Sequence, residues 1–208
     1  MKEREVIFWD FDGVIKDSVG VKTQGYVALF QPYGEVLAER VRAHHEAFGG
    51  VSRYEKIPLY LQWANESPHP EKVREFCYRF SALVQQAVID SPWVPGVLEY
   101  LQANFRTQYF VLVTATPDDE IHFILNKLDI SKYFREVYGA PMTKREAIGK
   151  VLHNLRCDKK TALVVGDSDS DFIAAAENKV DFLLRCTPVN GALQLKHTGF
   201  KCEDLRDE

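Results

Sequence analysis

The sequence predicts an α/β fold: a doubly wound, Rossmann-like parallel sheet with a helical segment inserted after its first strand. Three observations carry this. Short apolar or β-branched runs alternate with helix-period segments through the second half of the chain. Those runs are uninterrupted rather than alternating, as strands covered on both faces are. From residue 18 to residue 90, by contrast, no convincing strand occurs.

The first strand is expected in EVIFWDFD (residues 5–12), and the others in YFVLVTAT (109–116), EVYGA (136–140), TALVVGDS (161–168) and DFLLR (181–185). Between them lie the helical patterns GVLEYLQANF, DDEIHFILNKL, KREAIGKVLHNL and DFIAAAENK. In the inserted segment VKTQGYVALFQPY, EVLAERVRAHHEAF, RYEKIPLYLQWANE and EKVREFCYRFSALVQQAVI read as helices punctuated by Pro, Gly and Asn. SPWVPG (91–96) marks the return to the sheet. The expected division is a core of residues 1–17 and 91–208 and a helical unit of residues 18–90. The tail HTGFKCEDLRDE is open between a short edge strand and a frayed end.

Composition excludes several functions. The chain has 208 residues, 46% hydrophobic, enough to bury a core. Its net charge of −4 is spread in mixed signs, with no basic footprint for a nucleic acid polymer or an anionic membrane. Four scattered cysteines fit neither a zinc site nor a disulfide framework and read as reduced thiols. No apolar window approaches membrane-spanning length, so a soluble, cytoplasmic protein with a small-molecule partner is expected. A homodimer is left open.

In open α/β sheets ligands gather beyond the carboxyl ends of the strands. Here those ends carry Asp10 and Asp12, then Thr114 with Ala115, then Gly166-Asp167-Ser168-Asp169-Ser170-Asp171, with Lys144 shortly after the third strand. Asp10 and Asp12 project to one side if the strand persists, and Gly13 permits a tight exit. Crowded carboxylates repel, and a hard divalent cation such as Mg²⁺ relieves that repulsion. A calcium loop in GDSDSD fails, because Phe172 stands where the turn glycine belongs and Asn178 where the bidentate Glu belongs. In TKRE (143–146) Thr143 and Glu146 form a capping box that puts Lys144 in a first helical turn, where the dipole disfavours a cation unless anions compensate. Arg145 beside it is the rival. SRYE (52–55) likewise puts Arg53 at a helix start, suited to an anionic substrate group. Ser168 and Ser170 read as helix caps.

DFDGV, a strand ending in Thr114, Lys144 and GDSDSD stand in the order seen in the haloacid dehalogenase superfamily, which the sequence resembles over residues 1–17 and 91–208. The inserted helices resemble that superfamily's small cap, as in phosphoglycolate phosphatase and β-phosphoglucomutase relatives. The resemblance implies a Mg²⁺-dependent phosphatase acting on a small phosphomonoester, a phosphosugar or a phosphoglycolate-like acid. Asp10 would be the nucleophile that becomes an aspartyl-phosphate, and Asp12 the acid/base. Thr114 and the Ala115 N–H would hold phosphoryl oxygens. The cation would be held by Asp10, the Asp12 carbonyl and Asp167, with Asp171 direct or through water and Asp169 as a weaker candidate. GVSR around Arg53 is similar to the specificity loop of β-phosphoglucomutase-like caps.

Two alternatives remain: a phosphosugar mutase, and an idle binding or regulatory module that keeps only the fold. Against the mutase, Lys22 stands where those enzymes carry a cap histidine. Dehalogenase chemistry disagrees with Asp12. A phosphonatase would need a Schiff-base lysine in the cap, for which Lys16, Lys22 and Lys56 are candidates by location alone. His44 and His45 are expected at the surface or facing the hinge, and Trp9, Trp63, Trp93, Phe76, Tyr78 and Phe80 in packing.

Overall fold

The computed structural model describes residues 1–206. Six strands form one parallel sheet: β1 (Val6–Trp9), β2 (Tyr109–Pro117), β3 (Glu136–Ala140), β4 (Ala162–Gly166), β5 (Asp181–Arg185) and β6 (Phe200–Cys202). Their order is β3-β2-β1-β4-β5-β6. The chain winds outward from β1 in both directions, so the switch in strand order falls beside β1. β6 settles the tail as an edge strand, its Leu184↔Lys201 register pairing it with β5; residues 207 and 208 of that expectation lie outside the described residues.

The apolar runs predicted as two-sided strands are two-sided. In β1, Ile7 and Trp9 join one buried cluster with Phe110, Leu112, Leu163 and Val165. Val6 and Phe8 join the other, with Val111, Val113, Ala162 and Val164. Helices α5 (Val97–Asn104) and α6 (Asp118–Lys127) cover the first face through Val97, Leu101, Ile121 and Ile124. Helices α7 (Lys144–Leu155) and α8 (Asp169–Asn178) cover the second through Ile148, Val151 and Ala175. A further helix, α9 (Gly191–Lys196), lies between β5 and β6 in a stretch the periodicity left unassigned.

Between β1 and α5 come four helices: α1 (Val19–Phe30), α2 (Glu35–Ala47), α3 (Arg53–Trp63) and α4 (Pro70–Asp90). They enclose an aromatic interior in which Tyr26 stacks on Phe80 at 4.0 Å between centroids and Phe30 meets Tyr60 edge-on at 5.5 Å. Trp9, Phe76 and Phe80 are buried as expected and Trp63 and Trp93 partly so, but Tyr78 is 77% exposed because it falls on the outer face of α4.

β1 is shorter than expected and stops at Trp9. The Phe11 carbonyl accepts from the N–H groups of Ile15 and Lys16, at 2.8 and 3.1 Å, closing a turn where the strand would have continued. Register then sets the site: Trp9 is level with Leu112 of β2 and Val165 of β4, so Asp10 and Asp167, just past the ends of β1 and β4, lie beside Thr114 of β2, a strand that runs on to Pro117.

Candidate active site

A cavity of about 220 Å³ opens over these strand ends. The sheet side contributes Asp10, Asp12, Thr114, Ala115, Lys144 and Asp167, and the helical insertion closes the other side with Lys22, Tyr26, His45 and Arg53. All eight residues expected from the sequence fall in or against this space: Thr114 and Ala115 line it from β2, and the other six divide among three clusters.

The first cluster surrounds Lys144. Its capping box forms as the sequence predicts, with the Thr143 Oγ1 accepting from the Glu146 N–H. Lys144 Nζ then lies 2.8 Å from Asp10 Oδ2 and 2.6 Å from Asp171 Oδ1. Those two anions offset a cation at a helix N-terminus and raise its pKa against the burial that would lower it. Arg145, the rival, points outward to Glu177 at 3.6 Å.

Asp10, Asp167 and Asp171 each bring one carboxylate oxygen within 4.8 Å of the others, all buried. One ammonium faces three carboxylates. Burial first, then the charge of Asp171, lifts the Asp10 carboxyl to about 7 despite Lys144; burial and the charge of Asp10 push Asp167 well above the usual range. Hard oxygen donors carrying excess negative charge suit a divalent cation such as Mg²⁺, so the residues fit one. Their fitness is unequal. Asp171 spends Oδ1 on Lys144 and Oδ2 on the N–H and Oγ of Ser168, at 3.2 and 2.5 Å, which leaves it better placed to hold others than to ligate directly. Asp169 sits apart, half exposed and paired with Lys196 at 3.2 Å. Asp167 presses on Gly13, where a Cβ would come within 2.1 Å of its Oδ2, and Asn190 Nδ2 donates to its backbone carbonyl at 2.7 Å.

The second cluster holds Asp12. Because the chain turns after Trp9, Asp12 parts company with Asp10. Its Oδ1 accepts from Ser18 Oγ at 2.6 Å, and its Oδ2 accepts from Lys22 Nζ and from Thr116 Oγ1 at 3.2 Å. Lys22 also donates to Thr116 Oγ1 at 2.6 Å. Burial alone would raise the Asp12 carboxyl, but the Lys22 charge and these hydrogen bonds outweigh it and hold the pKa below the usual carboxylate range. The sequence reading does not single out Ser18 and Thr116; the available signals were the place of Ser18 just before the first helix of the insertion and that of Thr116 two residues after Thr114 in β2.

The third cluster gives Arg53 protein partners. It lines the cavity, yet its guanidinium is occupied: Nη1 and Nη2 reach Glu120 Oε2 and Oε1 at 2.8 and 2.7 Å, and Nη1 also meets Ser81 Oγ. Both partners are almost wholly buried. The bidentate geometry that suits Arg to a substrate anion suits it equally to Glu120, which α6 delivers from the sheet side. Nearby, Gly50 brings its backbone against α8, so that a Cβ there would fall 2.0 Å from Ser170 Oγ and 2.3 Å from Ser168 Oγ.

Of the two histidines, His44 is partly exposed and His45 is buried. His45 is 3% exposed, wedged between α1 and α3, with its Nδ1 2.8 Å from Lys56 Nζ; His44 Nδ1 meets Tyr60 Oη at 2.9 Å. Aromatic packing around Tyr26 and Tyr60 draws both rings inward.

The sequence profile of the haloacid dehalogenase-like hydrolase family matches residues 6–184. The chain is 24% identical over 177 residues to a phosphorylated carbohydrates phosphatase of Thermotoga maritima, covering 82% of this chain and 80% of that one. Among solved structures, a β-phosphoglucomutase from Clostridium difficile superposes with a TM-score of 0.75 at 18% identity, over 97% of this chain and 92% of that one. A predicted phosphoglycolate phosphatase from Haemophilus somnus superposes with a TM-score of 0.73 at 18% identity, over 100% and 97%. At these identities the structural likenesses speak for the fold. No helix among the described residues is long and apolar enough to cross a membrane.

Proposed function

The chain belongs to the haloacid dehalogenase-like hydrolase family, and from that premise we propose that it is a Mg²⁺-dependent phosphatase that hydrolyses a small phosphorylated carbohydrate or a similar phosphomonoester through an aspartyl-phosphate on Asp10. The observation that carries the reading is the convergence of Asp10, Asp167 and Asp171 around Lys144 at the strand ends, with Asp12 held a short way off by partners of its own. Similarity to the phosphorylated carbohydrates phosphatase of Thermotoga maritima favours a phosphorylated carbohydrate.

In this reading Asp10, the Asp12 carbonyl and Asp167 would hold the cation, and Asp171 supports the set by orienting Lys144 and Ser168. The bound ion would supply positive charge that keeps Asp10 ionised and draws negative charge off the phosphoryl oxygens. Asp10 attacks phosphorus, and the bond to the leaving oxygen breaks. Lys144, fixed between Asp10 and Asp171, aims Asp10 and adds a charge toward the phosphoryl group. Thr114 Oγ1 and the Ala115 N–H meet the remaining oxygens. Asp12 enters as an ionised group beside the Lys22 ammonium, ready to accept a proton from water in the second half-reaction. In the first half, Asp12 takes a proton from the Lys22 ammonium beside it and passes it to the departing alkoxide, so that it is ionised again when water attacks the aspartyl-phosphate. The helical segment of residues 18–90 acts as the cap that excludes bulk water and frames the alcohol part of the ester, in a soluble, cytoplasmic enzyme with no nucleic acid polymer as partner.

Release of phosphate from an aryl phosphate and a panel of sugar phosphates, with and without Mg²⁺, tests the proposal. Metal-dependent release supports it and ranks substrates. The Lys22–Asp12 contact favours a second reading, a phosphosugar mutase, because a cap residue does restrain the acid/base aspartate here. Isomer interconversion of a sugar phosphate on adding a bisphosphate, without net phosphate release, would select it.

A further inference from the structure

The cap side of the cavity carries a polar pair that takes no part in the chemistry above. His45, in the last turn of α2, lines the cavity though its residue is 3% exposed, and Tyr26 packs against its ring at 4.7 Å between centroids. Behind it Lys56, on α3 and 1% exposed, approaches Nδ1 at 2.8 Å and the Gly49 carbonyl at 3.3 Å. Among the described residues no carboxylate forms an ion pair with Lys56, and no hydrogen bond is made by His45 Nε2. The other basic groups of the cavity are all neutralised: Lys22 by Asp12, Arg53 by Glu120, and Lys144 by Asp10 and Asp171.

The chemistry of the pair gives Nε2 a direction. An ammonium has only protons to offer, so with Lys56 charged, His45 Nδ1 accepts and the single imidazole proton sits on Nε2. His45 then presents a donor to the cavity, backed by a positive charge. Burial, and after it the charge of Lys22, brings the Lys56 pKa down to about 7, so this amine sits near its midpoint at neutral pH and an arriving anion would favour its charged form.

Resting on the phosphatase reading, we propose that His45 is a substrate-binding residue, donating from Nε2 to an anionic oxygen on the alcohol part of the phosphoester, with Lys56 as the positioning residue that sets its tautomer and supplies the balancing charge. The ligand class is a phosphomonoester bearing a second anionic group, a carboxylate or a further phosphate. The geometry transfers to His45 the part that the sequence suggested for Arg53.

Matched esters test this. The carboxylate arm compares 3-phosphoglycerate with glycerol 3-phosphate, and the phosphate arm compares glucose 1,6-bisphosphate with glucose 6-phosphate. Wild-type protein should favour the more charged member of one pair by roughly tenfold or more in kcat/KM, the size of a hydrogen bond to a charged group. His45→Ala and Lys56→Met should each remove most of that preference through KM. His45→Gln, which keeps a donor near the Nε2 position, should restore part of it, a rescue that a merely structural role would not give. An unaltered preference in His45→Ala, or equal losses on both members of each pair, would overturn the proposal. Binding separates this from failure of the phosphatase reading. In Asp10→Asn protein, 3-phosphoglycerate or glucose 1,6-bisphosphate should move the His45 Nε2 resonance in a ¹⁵N spectrum, while glycerol 3-phosphate should not. A His45 resonance that stays still with every ester overturns the proposal whatever the chain catalyses.

Discussion

Arg53 and Glu120 meet in a buried two-pronged ion pair at 2.7 and 2.8 Å, joining a helix of the insertion to a helix of the sheet layer. Ser81 Oγ donates to the same carboxylate at 2.5 Å, so one acidic side chain gathers α3 and α4 against α6. Removing one partner of such a pair strands a charge away from water. Glu120→Ala should lower unfolding free energy by about 3–5 kcal/mol in a denaturant titration. The double variant Arg53→Ala with Glu120→Ala should lose less than the sum of the single losses; simple additivity would show that the two side chains do not depend on each other.

Among the described residues Lys144 is the single ammonium at three buried carboxylates, and its removal should be felt in the chemistry more than in the fold of α7, whose capping box does not use it. For Lys144→Met, phosphate release at saturating substrate and Mg²⁺ should fall on the order of 10²–10³-fold, as for loss of an oriented electrostatic group. Helix content by circular dichroism should stay at the wild-type level. Wild-type turnover in the variant would remove Lys144 from the mechanism.

Gly13 has φ +78°, and a Cβ there would stand 2.1 Å from Asp167 Oδ2 and 2.9 Å from Val19 Cγ2. Gly13→Ala should therefore displace Asp167 and weaken Mg²⁺ affinity by roughly 10–100-fold, the range typical of disturbing a ligand's support. The Mg²⁺ concentration needed for half-maximal phosphate release reads this directly. An unchanged requirement would mean that Asp167 is not a ligand.

Lys56 makes a pH prediction. Its pKa is about 7 when folded and near the ordinary lysine value when unfolded, so between these limits the unfolded chain binds more protons. Stability contributed by this site therefore rises as pH climbs from about 7 to about 10, and is lowest below 7 where a buried ammonium must be accommodated. The groups around it do not add to that slope: Tyr26 is pushed far upward and His45 titrates well below neutrality. The melting temperature of wild type minus that of Lys56→Met should increase over this interval. A flat difference would place Lys56 in contact with water.

Residues whose surroundings come from their own strand end or helix start could be read in the sequence. Lys144 could be located because Thr143 and Glu146 fix a helix start beside it, and Asp10 and Asp167 because apolar runs end in them. Partners brought in by docking of the insertion could not. Arg53 and Glu120 are 67 positions apart, and Thr116 and Asp12 are 104 apart, so no local pattern announces either pair. His45 and Lys56 are closer, but two polar residues on separate helices look like a solvated face until the aromatic rings of Tyr26 and Tyr60 enclose them. Asp12 shows the limit from another side. Its spacing from Asp10 implied a shared direction, and the turn anchored on the Phe11 carbonyl gave it different partners.

The most direct test of the account is a single-turnover reaction with an ester labelled on the phosphoryl group, quenched in acid, with and without Mg²⁺. Acyl phosphates survive acid and are cleaved by hydroxylamine. The account predicts label on a peptide containing Asp10, dependent on Mg²⁺, released by hydroxylamine and absent from Asp10→Asn. Turnover in which Asp10→Asn keeps wild-type rates, or in which the label rests on another residue, would contradict it.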